Sequence, residues 1–230
     1  LEYNLNHFKF REALKNLISI ARIGNKYLAD SEPWKLKDLD PERVNQILNT
    51  SFKILTPIIV LFLGELFNNS KKDSINGALG VELLHNFTLV HDDIMDEDDL
   101  RHNVATIHKK WDNAHAVLSG DGLGALGPLF IGKIKKNTLA ILIRYNEVIL
   151  EICEGQAYDM EFENKDFVSV SDYLLMSSKK TGSLFELCFE IASLNSDKYE
   201  KNVNELKKLG RNLGVIFQIQ DDILELETDS

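Results

Sequence analysis

The sequence predicts an all-α fold, a single helical bundle with two central apolar helices that end in acidic motifs. Three observations predict it. Apolar residues recur at helical spacing nearly everywhere, and no Asn-Gly or Asp-Gly pair joins two alternating runs. Two segments are apolar around most of their circumference, as helices are when other helices surround them. The 230 residues include only 4 Pro and 13 Gly, too few for a many-turned β architecture.

The spacing places helices at ~4–29, ~40–49, ~56–69, ~73–99, ~110–133, ~138–163, ~170–195 and ~198–228, with ends good to a few residues. Asp40-Pro41-Glu42 reads as an N-cap followed by proline at the first helical position. The apolar run at 54–67 (ILTPIIVLFLGELF) is too short to span a membrane and is broken by Pro57, Gly64 and Glu65. The next helix carries Ile75, Ala78, Val81, Leu84, Phe87 and Val90 on most of its sides. Further on, GDGLGALGP lacks the GKS/T of a P-loop and the GxGxxG order, so close helix packing explains it better than a phosphate cradle. Lys133, Lys135 and Lys136 read as a solvated turn. Asp197-x-x-Glu200 resembles a capping box that starts the last helix. That helix carries Leu209, Leu213, Val215, Ile216, Phe217 and Ile219.

Hydrophobic residues make up 44% and charged residues 27%, which is globular composition. The net charge of −10 leaves no excess of cations to displace nucleic-acid counterions. The two cysteines, Cys153 and Cys188, have no CxxC partner. A cysteine-rich zinc module and a disulfide scaffold are excluded, and a reducing compartment is implied. The opening LEYNLNHFKF carries charge where a signal peptide needs an apolar stretch, so the cytoplasm is the expected location. The chain starts without Met and stops at Ser230, so the expectation is one domain over 1–230, incomplete at its C-terminus.

Each central helix ends in a dense acidic patch: HDDIMDEDDLR at 91–101 and FQIQDDILELETD at 217–229. Asp92 and Asp96 are four apart and share a face, with Asp93 three from Asp96. Asp221 and Glu225 repeat that spacing, with Asp222 beside them. Like charges at this spacing destabilise a helix by about 0.2–0.5 kcal/mol per pair, so a compensating cation is expected. Mg²⁺ prefers carboxylate oxygens and bridges them to substrate phosphates. A solvated acidic face is the plain alternative. Against it stand the repetition of the spacing and the apolar helix leading into each patch. A greasy slot capped by facing carboxylates suits a long hydrocarbon carrying a diphosphate.

At these residues the chain resembles the trans-isoprenyl diphosphate synthases of the polyprenyl synthetase family, and the archaeal geranylgeranyl type among them. VELLHNFTLVHDDIMDEDDLR looks like the family's first aspartate-rich motif, and FQIQDDILE like the second, with Glu225 where Asp is usual. SGDGL, CEGQAYDMEFE and KKTGSLF resemble three further signatures in the right order. The resemblance implies a homodimer that joins isopentenyl diphosphate to an allylic diphosphate. It implies that Asp92, Asp93, Asp96, Asp221, Asp222 and Glu225 hold several Mg²⁺ ions, with Mn²⁺ as a substitute. Arg101, Lys180 and Gln218 would contact the allylic diphosphate, and Thr181 would lie beside the reacting carbon. Gln156 and Asp159 would face the cavity. Phe87, followed by the small Thr88, would floor it at geranylgeranyl length.

The isopentenyl pocket departs from the family. GGKRLRP appears as SFKILTP at 51–57, which keeps Lys53 but puts Thr56 where an arginine is expected. The tandem arginine after the first motif appears as Arg101-His102, and His85 stands where the pocket has His or Gln. A catalytically weak partner subunit of a hetero-oligomeric synthase is therefore the second reading. An HD-type phosphohydrolase lacks its separate upstream His and downstream Asp. A terpene cyclase would carry one aspartate motif and a different metal triad.

Overall fold

The structure, a computed structural model, describes residues 55–101, 104–198 and 200–228, with side chains to residue 223. The helices expected at ~4–29 and ~40–49, the Asp40 cap, Lys53 and His102 lie outside the described residues.

Helix α1 (Leu55–Leu66) tolerates Pro57 because the first turn has no intrahelical acceptor for that amide. It ends in a Schellman arrangement: Asn68 is left-handed at φ 58°, and the Asn69 amide donates to the Gly64 carbonyl at 2.8 Å. Helix α2 (Lys71–Met95) follows at once. A two-residue antiparallel ladder comes next, β1 (Leu100–Arg101) on β2 (Val104–Ala105). Helix α2 thus stops at Met95, a turn short of the expected end near residue 99. The short α3 (Ile107–Lys110) leads into α4 (Asn113–Ile131), whose cap Asp112 accepts the His115 amide at 2.8 Å. Helix α5 (Thr138–Phe162) spans the bundle.

The expected helix over ~170–195 runs without interruption from Val170 to Leu194 but changes type midway. Helix α6 (Val170–Ser177) runs into a π-helical turn (Ser178–Gly182), and α7 (Ser183–Leu194) continues from it. The last helix, α8 (Val203–Thr228), starts after a 3₁₀ turn and not at the Asp197 box. Asp197 and Glu200 are drawn instead to Lys136, at 2.9 and 3.1 Å. Lys136 also donates to the Ser196 carbonyl at 2.6 Å, so it fastens this corner and is no free surface lysine.

Helix α2 packs along α4, α1 lies on α2 and α7, and α7 lies between α5 and α8. The core joins Val81, Leu84, Ile131, Tyr145, Val148 and Leu187. Tyr145 is fully buried, and its hydroxyl donates to the Gly80 carbonyl at 3.1 Å. Three glycines of α4 serve this packing, with Gly120 under the His91 ring, Gly124 under Phe87 and Gly127 against Tyr145. Helix α7 is the most completely enclosed, buried at every residue from Ser183 to Ser193. Helix α8 is apolar on a broad face, but Leu209, Leu213 and Ile216 remain exposed among the described residues. No helix among the described residues is long and apolar enough to cross a membrane.

Candidate active site

The end of α2 is shaped by its own termination. Glu97 takes a left-handed conformation at φ 56°, and the Asp98 amide donates back to the Asp93 carbonyl at 3.1 Å. This reversal and the β1 strand bring Arg101 onto the buried Asp93 carboxylate, with Asp98 3.5 Å away on its other side. Asp92 and Asp96, with Arg101 and Asp98, line a cavity of about 1240 Å³, whereas Asp93 is not on its wall.

Three more elements complete the mouth. From α5 come Gln156, which donates to Asp96 at 3.4 Å, and Asp159. The π turn supplies Lys180 and Thr181. Lys180 lies 2.5 Å from Asp159 and 3.6 Å from Asp92, joining α5 to α2. From α8 come Gln218, Asp221 and Asp222. Thr181 donates to the Gln218 side-chain oxygen at 2.5 Å, and Gln218 donates onward to Asp222 at 2.7 Å. The rest of the wall is largely apolar, with Phe87, Leu89 and Phe217 beside the buried Ile152, Met176 and Leu184.

Most of the expected residues are thus brought together. Both acidic motifs open on one cavity, with His85, Phe87, Arg101, Gln156, Lys180, Thr181 and Gln218 on its wall. Arg101 and Lys180 already hold carboxylates, and Gln218 already bridges Thr181 to Asp222, so a ligand must exchange with contacts in place. Thr56 borders the cavity as well; it is 4% exposed, and its hydroxyl has no hydrogen-bond partner among the described residues. The Glu225 side chain, like Lys53 and His102, lies outside the described residues.

Sequence reasoning missed Tyr173. From α6 it donates a short hydrogen bond to Asp222 and lines the cavity. No motif marks it. Burial and the Asp222 contact push its phenol up to about 12, so it remains a donor at neutral pH.

The electrostatics are lopsided. Six aspartates line the cavity against Arg101 and Lys180 as permanent cations among the described residues. Burial raises the Asp92 pKa despite Lys180 and Arg101. Burial and the Asp92 charge raise Asp96 to about 6, and burial with Asp222 raises Asp221. Burial pulls Lys180 down, but Asp92, Asp159 and Asp96 outweigh it, so its pKa is raised and its charge secure. Among the described residues no three acidic or histidine side chains converge on one point. The donor set is nevertheless all oxygen and short of positive charge. That fits hard divalent cations that complete their shells with water and phosphate oxygens.

The family model for polyprenyl synthetase matches residues 41–230. The chain is 42% identical over 205 residues to a short chain isoprenyl diphosphate synthase of Methanocaldococcus jannaschii, covering 87% of this chain and 62% of that one. It is 34% identical over 183 residues to a geranylgeranyl diphosphate synthase of Methanosarcina mazei, covering 78% and 56%. The solved geranylgeranyl pyrophosphate synthetase of Geoglobus acetivorans superposes with a TM-score of 0.73 at 33% identity, over 91% of this chain and 69% of that one. The chain spans about three-fifths of the length of the curated relatives it matches, 56% and 62% for the two above.

Proposed function

The chain belongs to the polyprenyl synthetase family, and from that premise we propose that it joins isopentenyl diphosphate to an allylic diphosphate. One observation carries the proposal: two acidic helix segments and two cations crowd the mouth of a single cavity whose inner wall is apolar.

In this reading the diphosphate of the allylic substrate lies at the mouth and its hydrocarbon lies inside. Arg101 and Lys180 turn part of their charge from Asp93 and Asp159 to the phosphate oxygens, as charge-assisted hydrogen bonds. Asp92, Asp96, Asp221 and Asp222, with Asp93 and Glu225, would hold Mg²⁺. Such an ion supplies charge stabilisation on the departing diphosphate. Thr181, fixed by Gln218, stands beside the carbon that ionises. The allylic C–O bond breaks and its electron pair leaves with the diphosphate. The isopentenyl double bond attacks the cation, a C–C bond forms, and the proton lost from the isopentenyl unit goes to the released diphosphate. The apolar wall keeps water from trapping the cation. Preorganised charge and positioning do the rest, and no protein nucleophile is needed.

The product is assigned as geranylgeranyl diphosphate. The named relatives support it, as does Phe87, which borders the same cavity from the α2 turns that precede Asp92. Assembly as a homodimer belongs to the same reading. Leu118, Leu126 and Leu129 on α4, and Leu139, Ile143 and Leu150 on α5, support it by lying exposed at helical spacing. The neutral Thr56 hydroxyl on the wall favours a second reading, a partner subunit that works poorly by itself. Incubating the purified chain alone with isopentenyl diphosphate, an allylic diphosphate and Mg²⁺, followed by chain-length analysis, separates the two. No elongated product, with a folded protein, would reject the enzyme reading.

A further inference from the structure

We infer that Arg211 is a positioning residue: from α8 it holds the π turn that presents Lys180 and Thr181 to the cavity. The inference rests on the diphosphate reading above for its functional consequence, and on geometry for the rest.

A π turn is an unfavourable piece of backbone, with wide i→i+5 rings, and it persists only where neighbours fix it. Here three neighbours do. Gly155 of α5 lets that helix touch the turn, since a Cβ there would sit 2.6 Å from Lys180 Cα. Gly214 of α8 does the same from the other side, where a Cβ would sit 2.7 Å from Gly182 Cα. Arg211, one turn before Gly214, donates from Nη1 to the Ser178 carbonyl at 3.3 Å and to its Oγ at 3.2 Å.

Arg211 is itself aimed. Its Nε contacts Glu186 and its Nη2 donates to Glu151 at 2.6 Å, so all three guanidinium nitrogens are used. Those carboxylates are held from behind. Arg144 reaches Glu151 at 2.7 Å, Glu186 at 3.0 Å and Glu190 at 2.5 Å, and Lys207 reaches Glu190 at 2.8 Å. The planar fork therefore faces the turn with little freedom left, which a lysine ammonium could not reproduce. Arg211 does not line the cavity, so it touches no substrate and acts only through the turn.

Two variants test this. Arg211→Lys keeps the charge and loses the fork. The double variant Arg211→Gln with Glu186→Gln keeps the network neutral and removes the grip on Ser178. In both, hydrogen exchange at the amides of 178–182 should quicken about tenfold or more beyond any change in the slowest core amides, which report global stability. Affinity for inorganic pyrophosphate with Mg²⁺ should fall about tenfold, the equivalent of one charge-assisted hydrogen bond. The allylic KM should rise by a similar factor, with the isopentenyl KM within about twofold. Unchanged exchange in the turn overturns the inference. So does recovery of both exchange and allylic KM in the double variant, because Arg211 would then be only a charge partner. If Arg211→Lys does not fold, the double variant decides. If the unmodified chain neither binds pyrophosphate nor elongates a prenyl chain, the diphosphate reading fails, and exchange in the turn still decides what Arg211 does.

Discussion

Among the described residues two dense charged clusters stand, one on each side of the π turn, and they are built on opposite rules. Behind the turn, Arg144, Lys207 and Arg211 meet Glu151, Glu186 and Glu190, one cation for each inner carboxylate. Burial alone would raise Glu151, but hydrogen bonds from Arg211 and Arg144 overcome it and hold the carboxyl below its ordinary value. At the cavity mouth the aspartates outnumber the cations, and Asp92, Asp96 and Asp221 all sit above theirs. A balanced cluster is finished and needs no ligand. An unbalanced one is stable only if charge arrives from outside. That difference, more than acidity itself, distinguishes a scaffold from a site.

The largest expected effect breaks the balanced side. Glu186→Ala removes the carboxylate that Arg144, Lys207 and Arg211 share in a buried setting, leaving three cations on two inner carboxylates, and should destabilise the fold by about 3–5 kcal/mol in urea denaturation. A loss below about 1 kcal/mol would mean that the cluster is not structural. Next, Asp221→Ala should cost about 10²–10³ in kcat, the scale of losing one preorganised electrostatic group, with no loss in unfolding midpoint. Full turnover by this variant, or by the unmodified chain in excess chelator, would remove the metal role from the mouth.

Acid titration sharpens the contrast further. The Asp96 pKa is raised on folding, so its contribution favours the fold at low pH and is lost as the pH rises from about 4 through about 6. Glu151 is lowered, so its contribution is present above its ordinary 4.5 and is lost as the pH falls through the folded value. Asp96→Asn should flatten the first trend in metal-free protein, and Glu151→Gln the second, both read as denaturation midpoint against pH. Identical profiles for the two variants would erase the distinction. The smallest expected effect adds a cation to the unbalanced side. Thr56→Arg should lower the isopentenyl KM about tenfold and leave the allylic KM alone. No selective change would favour the partner-subunit reading.

Much of the mouth was legible because its logic is local. Asp92 and Asp96 share a face at four-residue spacing, and Lys180-Thr181 and Gln218 lie in recognisable strings. The helices α2, α4 and α5 were legible for the same reason, since apolar periodicity extends through them. The balanced cluster was invisible. Arg211 and Glu151 stand 60 residues apart, and nothing in either segment announces the other. The late start of α8 escaped because Lys136 competes for the residues that would have capped it. The enclosure of α7 escaped because Glu186 and Glu190 make it look amphipathic until their cations are found. Residues 178–182 read as ordinary helix, because a π turn changes the backbone ring size without changing residue types.

That turn can also be read as an insertion. A π-helical ring holds one residue more than an α-helical ring, so the rod from Val170 to Leu194 carries a surplus residue absorbed at the cavity edge. Ordinary α-geometry advances about 100° per residue, so removing that surplus would swing everything after it by the same angle about the axis. Lys180 and the enclosed face of α7 have incompatible requirements on a straight rod, one needing to look into the cavity and the other into the bundle. The extra residue lets a single rod point in two directions. A deletion of any one residue from 178–182 would therefore act at a distance, rotating Glu186 and Glu190 out from under their cations by way of a change beside the substrate.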